Sequence, residues 1–390
     1  MEFWIEKKQC TGCGACSNVC PKNAIKMEED ESGFKYPIIN QDLCINCGMC
    51  KRTCPILEKK NNSTRINPKT YAAWSKDKDT RFNSTSGGLF TEIAKAVIKE
   101  KGYVVGAEYN EDNLVEHTII NKLEDIEKIR QSKYLQSDTK RIYKEVKEKL
   151  DNNSLLAFCG SPCQVAGLYK YLNKNYNNLL TIEFICRGMN SPKAYKTWLK
   201  EIEKKENKKV KKVWFKYKEN GWKKSPKCTR IEFDDNTYKV YSNMDNSFMC
   251  GYLGPNLYIR PSCGECHFNG LPRQADITLA DFWGIEEKYD DDQGTSLVLS
   301  NTEIGDQWIE KIKDKINIHE KNINDIEKGN VCFKTAVKIN PKSKDFLKNI
   351  NEDNFSEMIK KYSKESIFKK IIKYSKKIIN RIKRIVIKKK

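Results

Sequence analysis

The sequence predicts an α+β protein: a small cysteine-rich module, then a larger α/β domain with a β-rich insertion, then a basic C-terminal helix. Three observations lead to this fold class. Eight of the 16 cysteines fall in two similar blocks within residues 1–57. From residue 70 to about residue 208, helix and strand patterns alternate, which is typical of an open α/β sheet. Residues 360–390 combine regularly spaced apolar side chains with many lysines.

The composition limits the location and the metal chemistry of the protein. Its apolar runs are far shorter than the roughly 18 residues of a membrane-spanning helix. The N-terminal residues carry Glu and Lys where a signal peptide is apolar, so we expect a cytoplasmic protein. The cytosol keeps thiols reduced, and the chain has only three histidines. We therefore expect thiolate-dominated metal sites, either iron–sulfur or zinc.

The N-terminal module, residues 1–57, carries the pattern C-x2-C-x2-C-x3-C-P twice. In bacterial ferredoxins this run binds two 4Fe-4S clusters, and the fourth cysteine of each block ligates the other cluster. The predicted ligands are Cys10, Cys13, Cys16 and Cys54 for one cluster and Cys44, Cys47, Cys50 and Cys20 for the other. Zinc ribbons also use C-x2-C pairs, but a zinc site needs four ligands rather than eight in this duplicated order.

After a polar linker at residues 58–69, the α/β domain is predicted over residues 70–345, with an N-terminal part of 70–150 and a C-terminal part of 151–345. The elements expected in it are a helix from Gly88 through Ile98, strands at Tyr103–Ala107, Leu155–Phe158 and Leu179–Ile185, a helix at Cys163–Leu172 and a helix opened by Ser191-Pro192. Residues 210–241 change to a strand pattern with a hairpin turn at Asp234–Asn236, which predicts the β-rich insertion.

Four further cysteines predict one more metal site. Cys163 follows one buried strand at the start of a helix, and Cys186 ends the next strand. If these strands are parallel in one sheet, both thiols lie at its carboxyl edge, where open α/β sheets place their ligands. Cys263 and Cys266 form the remaining pair, which alone is also half of a zinc knuckle. The other four cysteines are expected to be buried small side chains or plain thiols: Cys159, Cys228, Cys250 and Cys332.

Several motifs beyond the linker point to one family. They are Ser86-Gly87-Gly88, Lys133-Tyr134, Gly160-Ser161-Pro162-Cys163-Gln164, Ile185-Cys186-Arg187-Gly188, Arg260-Pro261-Ser262-Cys263-Gly264-Glu265-Cys266 and Ala275 through Gly284. Together they resemble the family of coenzyme F420 hydrogenase/dehydrogenase beta subunits. The resemblance implies a flavin-binding α/β domain with FAD and a 4Fe-4S cluster held by Cys163, Cys186, Cys263 and Cys266. It also implies flavin contacts at Ser86, Gly87, Gly88, Lys133 and Gly160.

The chain departs from the family pattern at one position and lacks a dinucleotide motif. Arg187 stands where many relatives have histidine, which adds a positive charge beside the expected third cluster. No G-x-G-x-x-G run is present, so the expectation of FAD depends on the resemblance. The glycine pair also fits a plain helix start, Asp276 and Asp281 fit strand-end caps, and His267 fits a structural hydrogen bond.

The resemblance implies an iron–sulfur flavoprotein oxidoreductase. Electrons are expected to pass between the ferredoxin-type clusters, a third 4Fe-4S cluster and FAD, and on to a soluble donor or acceptor. The implied substrate is coenzyme F420 or a compound of polysaccharide biosynthesis, and no catalytic residue is predicted. The alternatives are a non-catalytic subunit that relays electrons to a partner enzyme, and a degenerate family member that acts as a membrane-associated scaffold.

The basic tail, residues 360–390, carries 14 basic residues and one acidic residue, or +13 of the formal net charge of +20. It has no aromatic stacking platform, so we expect no nucleic-acid partner. Apolar residues at helical spacing opposite Lys and Arg predict a helix that lies on an anionic membrane surface, peripheral at the inner face. The alternatives are a frayed, solvated helix or a docking site for an acidic partner.

Overall fold

The computed structural model describes residues 4–57, 64–326 and 329–363. Its strands are β1 (Ile25–Glu29), β2 (Lys35–Ile39), β3 (Lys69–Ser75), β4 (Tyr103–Tyr109), β5 (Val115–Ile120), β6 (Leu156–Gly160), β7 (Leu179–Phe184), β8 (Val210–Phe215), β9 (Cys228–Phe233), β10 (Tyr238–Ser242), β11 (Ile277–Asp281), β12 (Ser296–Ser300) and β13 (Ile316–Lys321). Its α-helices are α1 (Ala15–Val19), α2 (Met49–Arg52), α3 (Lys78–Phe82), α4 (Leu89–Lys99), α5 (Ile126–Ile129), α6 (Ile142–Asp151), α7 (Pro162–Leu172), α8 (Pro192–Glu206), α9 (Ser247–Tyr252), α10 (Glu303–Lys311), α11 (Ser343–Asn349) and α12 (Phe355–Ser363). None of the helices in these described ranges is long and apolar enough to cross a membrane.

The N-terminal module consists of the antiparallel hairpin β1–β2 and two short helices that each follow a left-handed glycine. Gly14 precedes α1 with φ 77°, and Gly48 precedes α2 with φ 70°. Glycine adopts this conformation without a Cβ penalty. Each cysteine block can therefore turn sharply before its third cysteine.

An eight-stranded mixed sheet forms the centre of the larger domain, in the order β13-β3-β12-β11-β7-β6-β4-β5. Strands β11, β7, β6 and β4 are parallel to their neighbours in this series, and the remaining pairs are antiparallel. Helices α4 and α10 cover one face through residues such as Val97 and Trp308, and α6 and α7 cover the other through Val146 and Leu168. The parallel pairing of β6 and β7, which the prediction of the third metal site required, is confirmed.

The helix start predicted at Ser191-Pro192 is confirmed, and side-chain caps explain the starts of both α8 and α7. The Ser191 hydroxyl accepts a hydrogen bond of 3.1 Å from the N–H of Ala194, so Ser191 caps α8. Ser161 and Gln164 form a capping box at the start of α7. This cap fixes the point at which the chain turns from β6 into α7, and it places Cys163 in the first turn of the helix.

The predicted β-rich insertion is confirmed as a separate three-stranded antiparallel sheet in the order β10-β9-β8. It packs with α8, α9 and α12 around Trp198 and Phe248. Helix α12, which follows the predicted domain end at residue 345, contributes Phe355, Met358 and Ile359 to this core. Residues 364–390, most of the basic tail, and residues 58–63 of the linker lie outside the described residues, so the predicted tail helix stays a prediction.

Candidate metal centres

Three cavities are each lined by four of the cysteines that the sequence singles out. The first cavity is lined by Cys10, Cys13, Cys16 and Cys54. The second cavity is lined by Cys20, Cys44, Cys47 and Cys50. The third cavity is lined by Cys163, Cys186, Cys263 and Cys266. In the N-terminal module, the grouping is the one expected when the fourth cysteine of each block serves the other cluster.

One thiol of the N-terminal module accepts a hydrogen bond of the kind found at iron–sulfur clusters. The N–H of Ala24 donates to the sulfur of Cys20 at 3.2 Å, a type of contact that tunes iron–sulfur clusters. Among the described residues, no group of three or more His, Cys, Asp and Glu side chains could hold a metal ion. A 4Fe-4S cluster poses a different requirement, because its four thiolates bind four separate irons.

The third cavity lies at the carboxyl edge of the central sheet, and its empty space, which includes open solvent, is about 780 Å³. Cys163 enters it from α7, and Cys186 enters it from the segment after β7. Cys263 and Cys266 come from a 3-10 turn at Pro261–Glu265 and the residue after it. The N–H of Gly188 donates to the Cys186 sulfur at 3.3 Å, and the N–H of Phe268 donates to the Cys266 sulfur at 3.4 Å. Four thiols from three segments therefore meet as the strand ends predict.

Burial raises the pKa of three thiols that line the first and third cavities. The pKa of Cys163 rises to about 11, and the pKa values of Cys13 and Cys263 rise to about 12. In each case, loss of solvation outweighs the hydrogen bonds that favour the thiolate. Such thiols stay protonated at neutral pH until a metal displaces the proton. The cavities are therefore suited to soft metal ligation rather than to a reactive free thiolate.

The first and third cavities adjoin each other across α7. A Cβ added to Gly167 of α7 would lie 3.1 Å from the Cys13 sulfur. The Tyr143 hydroxyl lies 2.9 Å from the carbonyl oxygens of both Cys13 and Gln164, so it can donate to either. The N-terminal module is thus packed directly on the helix that carries Cys163.

Two buried arginines line the third cavity, and the sequence patterns assign a role to neither of them. Arg260 donates to the Cys10 carbonyl at 2.8 Å. Arg273 forms a buried ion pair with Glu183 at 2.5 Å. Arg260 stands in the motif that carries Cys263, and this proximity is the one signal in the sequence that marks it.

The third cavity is also lined by Arg187, His267 and Cys332. Arg187 donates to the Tyr252 carbonyl at 2.9 Å, which holds its charge beside the Cys186 segment. Cys332 adds a fifth thiol to this cavity, although the sequence predicts a plain thiol there. The other three cysteines outside the motifs pack with hydrophobic clusters, as expected: Cys159, Cys228 and Cys250.

The two aspartates of the β11 segment make different contacts. The Asp276 carboxylate accepts hydrogen bonds from the N–H and the hydroxyl of Thr181 at 2.8 and 2.7 Å, so it joins β7 to β11 as a structural cap. Asp281, the last residue of β11, forms an ion pair with the buried Lys216. Lys216 has a left-handed backbone with φ 56°, which is strained for a residue with a Cβ.

The five residues expected to contact flavin lie around the sheet edge but outside the three thiol-lined cavities. Ser86 donates to the Thr295 carbonyl at 2.9 Å. A Cβ on Gly87 would lie 2.4 Å from the Ala73 carbonyl oxygen, and Gly88 begins α4 with φ 92°, so packing and turn geometry explain both glycines. The remaining two are Lys133, whose amine donates to the Arg130 carbonyl at 2.9 Å, and Gly160, which ends β6. Flavin contact at these residues stays a prediction.

Parts of the chain match known protein families and related proteins. Residues 70–143 and 153–326 match the N-terminal and C-terminal parts of the family described as coenzyme F420 hydrogenase/dehydrogenase, beta subunit. Residues 9–56 match the 4Fe-4S dicluster domain. The chain is 24% identical over 380 residues to a subunit of the F(420)H(2) dehydrogenase of Methanosarcina mazei, and the match covers 93% of this chain and 96% of that protein. A chain of the xenon-derivatized F420-reducing NiFe hydrogenase complex from Methanosarcina barkeri is 16% identical, with a TM-score of 0.45, over 78% of this chain and 91% of that one.

Proposed function

Since the chain belongs to the family of coenzyme F420 hydrogenase/dehydrogenase beta subunits and carries a 4Fe-4S dicluster domain, we propose that it passes electrons along three 4Fe-4S clusters to or from FAD. The chain is an iron–sulfur electron-transfer subunit of an oxidoreductase family. When bound, the clusters supply one-electron transfer and FAD supplies two-electron hydride chemistry. The observation that carries the proposal is the set of three cavities, each lined by four cysteines of the predicted ligand set.

The order of the cavities supports a single path through the chain. Cys47 of the second cavity is exposed to solvent. The β1–β2 hairpin lines both the second and the first cavity, so these two cavities lie side by side. Cys13 of the first cavity packs on the helix that carries Cys163 of the third. We therefore propose that a protein partner exchanges electrons at the second cavity and that the substrate reacts beyond the third.

Iron content tests the number of clusters. After anaerobic reconstitution we expect about twelve irons per chain in the unmodified protein and about eight in Cys263→Ser. The control is Cys332→Ser, because this thiol lines the same cavity but lies outside the ligand motifs. We expect about twelve irons in this control. About eight irons in the unmodified protein, or zinc in place of iron, would refute the third cluster.

We propose that FAD binds at the carboxyl edge of the sheet, beside Lys133 and the Ser86–Gly88 turn. The family resemblance supports this, and the N–H of Ser132 donates to the Thr85 hydroxyl at 2.7 Å, which joins the two segments. Lys133→Gln is expected to retain less FAD after purification than Lys128→Gln, a change at an exposed lysine whose side chain is 59% accessible. Equal FAD contents in the two variants would contradict the placement. If the full chain takes up no FAD, the proposal that FAD is its cofactor would be wrong.

We propose coenzyme F420 as the two-electron substrate because the relative of M. mazei is named as part of an F(420)H(2) dehydrogenase. The test is anaerobic oxidation of reduced F420 by the reconstituted protein, with an artificial one-electron acceptor and the absorbance of oxidised F420 as the readout. A protein with intact clusters that reduces a protein partner but never oxidises F420 would support the alternative, a non-catalytic electron relay.

We propose that the basic tail attaches the protein to an anionic membrane surface. The support is its sequence, 14 basic residues with apolar residues at helical spacing. Co-sedimentation with vesicles of graded anionic lipid content, at physiological salt, compares the full chain with a chain that ends at Ser363 and so keeps α12. We expect only the full chain to pellet, and more of it as the anionic content rises. Equal pelleting of both chains would refute the attachment.

A further inference from the structure

Arg260 places a fixed positive charge in the interior, between the first and third cavities. The residue is 1% exposed. It lines the third cavity and directly precedes the turn that carries Cys263. On its other side lies Gly12, in the loop between Cys10 and Cys13, where an added Cβ would come within 2.9 Å of the Arg260 Nη1. One guanidinium therefore touches the ligand loops of both cavities.

The three hydrogen bonds of this guanidinium go to neutral acceptors. Nε donates to the carbonyl oxygen of Cys10 at 2.8 Å, Nη1 to Oε1 of Gln136 at 2.9 Å, and Nη2 to the carbonyl oxygen of Lys35 at 2.9 Å. The guanidinium also lies over the Tyr36 ring, 4.3 Å from its centroid. Within the part of the chain that the structure describes, no carboxylate pairs with it.

Two other buried arginines are neutralised by a carboxylate. Arg273 pairs with Glu183, and Arg81 pairs with Asp291. A buried charge without a counter-ion is costly, and arginine does not lose its proton in proteins. Arg260 therefore needs a negative charge nearby that no described carboxylate supplies.

We propose that the Arg260 guanidinium is the shared counter-ion of the clusters in the first and third cavities. A cubane with four thiolates is an anion, and net charge is one of the properties that set its reduction potential. A cation fixed between two such anions favours the reduced form of each, since charges interact strongly in the protein interior. The hydrogen bond to the Cys10 carbonyl keeps the charge in place. This inference rests on the three-cluster function proposed above.

The test is an anaerobic redox titration of the reconstituted full chain, with the EPR signals of the reduced clusters as the readout. In Arg260→Met, we expect the midpoint potentials of the first and third clusters to shift to more negative values. The second cluster is expected to keep its potential, because Arg260 does not line its cavity. Arg260→Lys retains the charge and is expected to keep all three potentials.

Arg187→Gln serves as a second control, since Arg187 lines the third cavity and neither of the other two. It is expected to shift the third cluster alone. Should Arg260→Met not assemble its clusters, Gln136→Glu carries the same expectation, because it sets a carboxylate 2.9 Å from Nη1 and neutralises the guanidinium in place.

Unchanged potentials in Arg260→Met, a shift of one cluster only, or an equal shift of all three clusters would overturn the inference. A shift in Arg260→Lys as large as that in Arg260→Met would also overturn it, because geometry rather than charge would then be the cause. Iron content separates this failure from a failure of the proposed function. About eight irons in the unmodified protein would refute the third cluster, whereas about twelve irons with unshifted potentials would refute the role of Arg260 alone.

Discussion

The buried ion pair between Arg273 and Glu183 should decide whether the segment after Cys266 stays folded. The two side chains are 1% and 0% exposed, and Nε lies 2.5 Å from Oε1. Nη1 of Arg273 also donates to the carbonyl oxygens of Phe268 and Gly270, each at 3.3 Å. Arg273→Met would remove the cation and leave Glu183 buried without a counter-ion.

The magnitude of this change follows from the burial of the pair. Two unit charges about 4 Å apart attract by about 4 kcal/mol at an effective dielectric constant of about 20, and removing one partner of a buried pair costs about 3–5 kcal/mol. We expect Arg273→Met to lower the free energy of unfolding by about 3–5 kcal/mol. The control is Lys212→Met, which breaks a pair with Glu127 whose side chains are 33% and 59% exposed. It should cost at most about 1 kcal/mol.

Urea unfolding of the metal-free protein, followed by circular dichroism over a range of pH, measures the loss of unfolding free energy in Arg273→Met and in Lys212→Met. Burial raises the pKa of Glu183, and Arg273 opposes that rise, so the variant should have a still higher carboxyl pKa. A carboxyl whose pKa is raised on folding contributes stability that is present below its unfolded pKa and is lost as pH rises through its folded pKa. The cost of Arg273→Met should therefore shrink as the pH falls. A cost no larger than that of Lys212→Met, or one that grows in acid, would refute the reasoning.

Three further predictions concern a glycine, a histidine and a tyrosine. Gly12→Ala and Gly48→Ala both strain a left-handed backbone by about 1–2 kcal/mol, but only at Gly12 does the new Cβ come within 2.9 Å of the buried Arg260. The iron content after reconstitution should therefore be lower in Gly12→Ala than in Gly48→Ala. Equal iron contents in the two variants would contradict this prediction. Burial lowers the pKa of His117 to about 4, so stability should fall as the pH drops from about 6.5 towards about 4. In His117→Phe the urea midpoint should depend less on pH over this range. An unchanged pH dependence would mean that other groups cause the loss of stability. Tyr143→Phe removes a hydroxyl 2.9 Å from the Cys13 carbonyl and should lower the free energy of unfolding by about 1–3 kcal/mol, whereas an unchanged urea midpoint would show that the bond contributes nothing.

Cysteine spacing by itself determines which thiols meet in the N-terminal module. The doubled pattern predicts that Cys20 and Cys54 each join the other block, and the first two cavities group them in this way. The reason is local, because left-handed glycines such as Gly14 and Gly48 bring the other three cysteines of each block together within a few residues. The third group could also be predicted, since parallel strands end at one edge of a sheet. That these thiols bind clusters stays a prediction.

The sequence alone cannot decide whether flavin contacts the predicted residues or whether the tail forms a helix. Gly87 and Gly88 satisfy close packing and a helix start, so their presence does not distinguish a cofactor site from a turn. The tail helix lies outside the described residues. For both features the sequence pattern is compatible with more than one structure, because neither pattern demands a specific partner.

Only the tertiary structure decides which distant segments join the cavities to one another. Arg260 donates to the carbonyl of Cys10 across 250 residues of sequence, and Cys332 reaches the third cavity although no motif surrounds it. A hydrogen bond from a side chain to a backbone carbonyl leaves no residue-type signature at the acceptor, because every residue carries a carbonyl. The sequence thus determines the ligand groups through local spacing and strand ends, and the packing of the N-terminal module on α7 decides that a single buried charge lies between two of them.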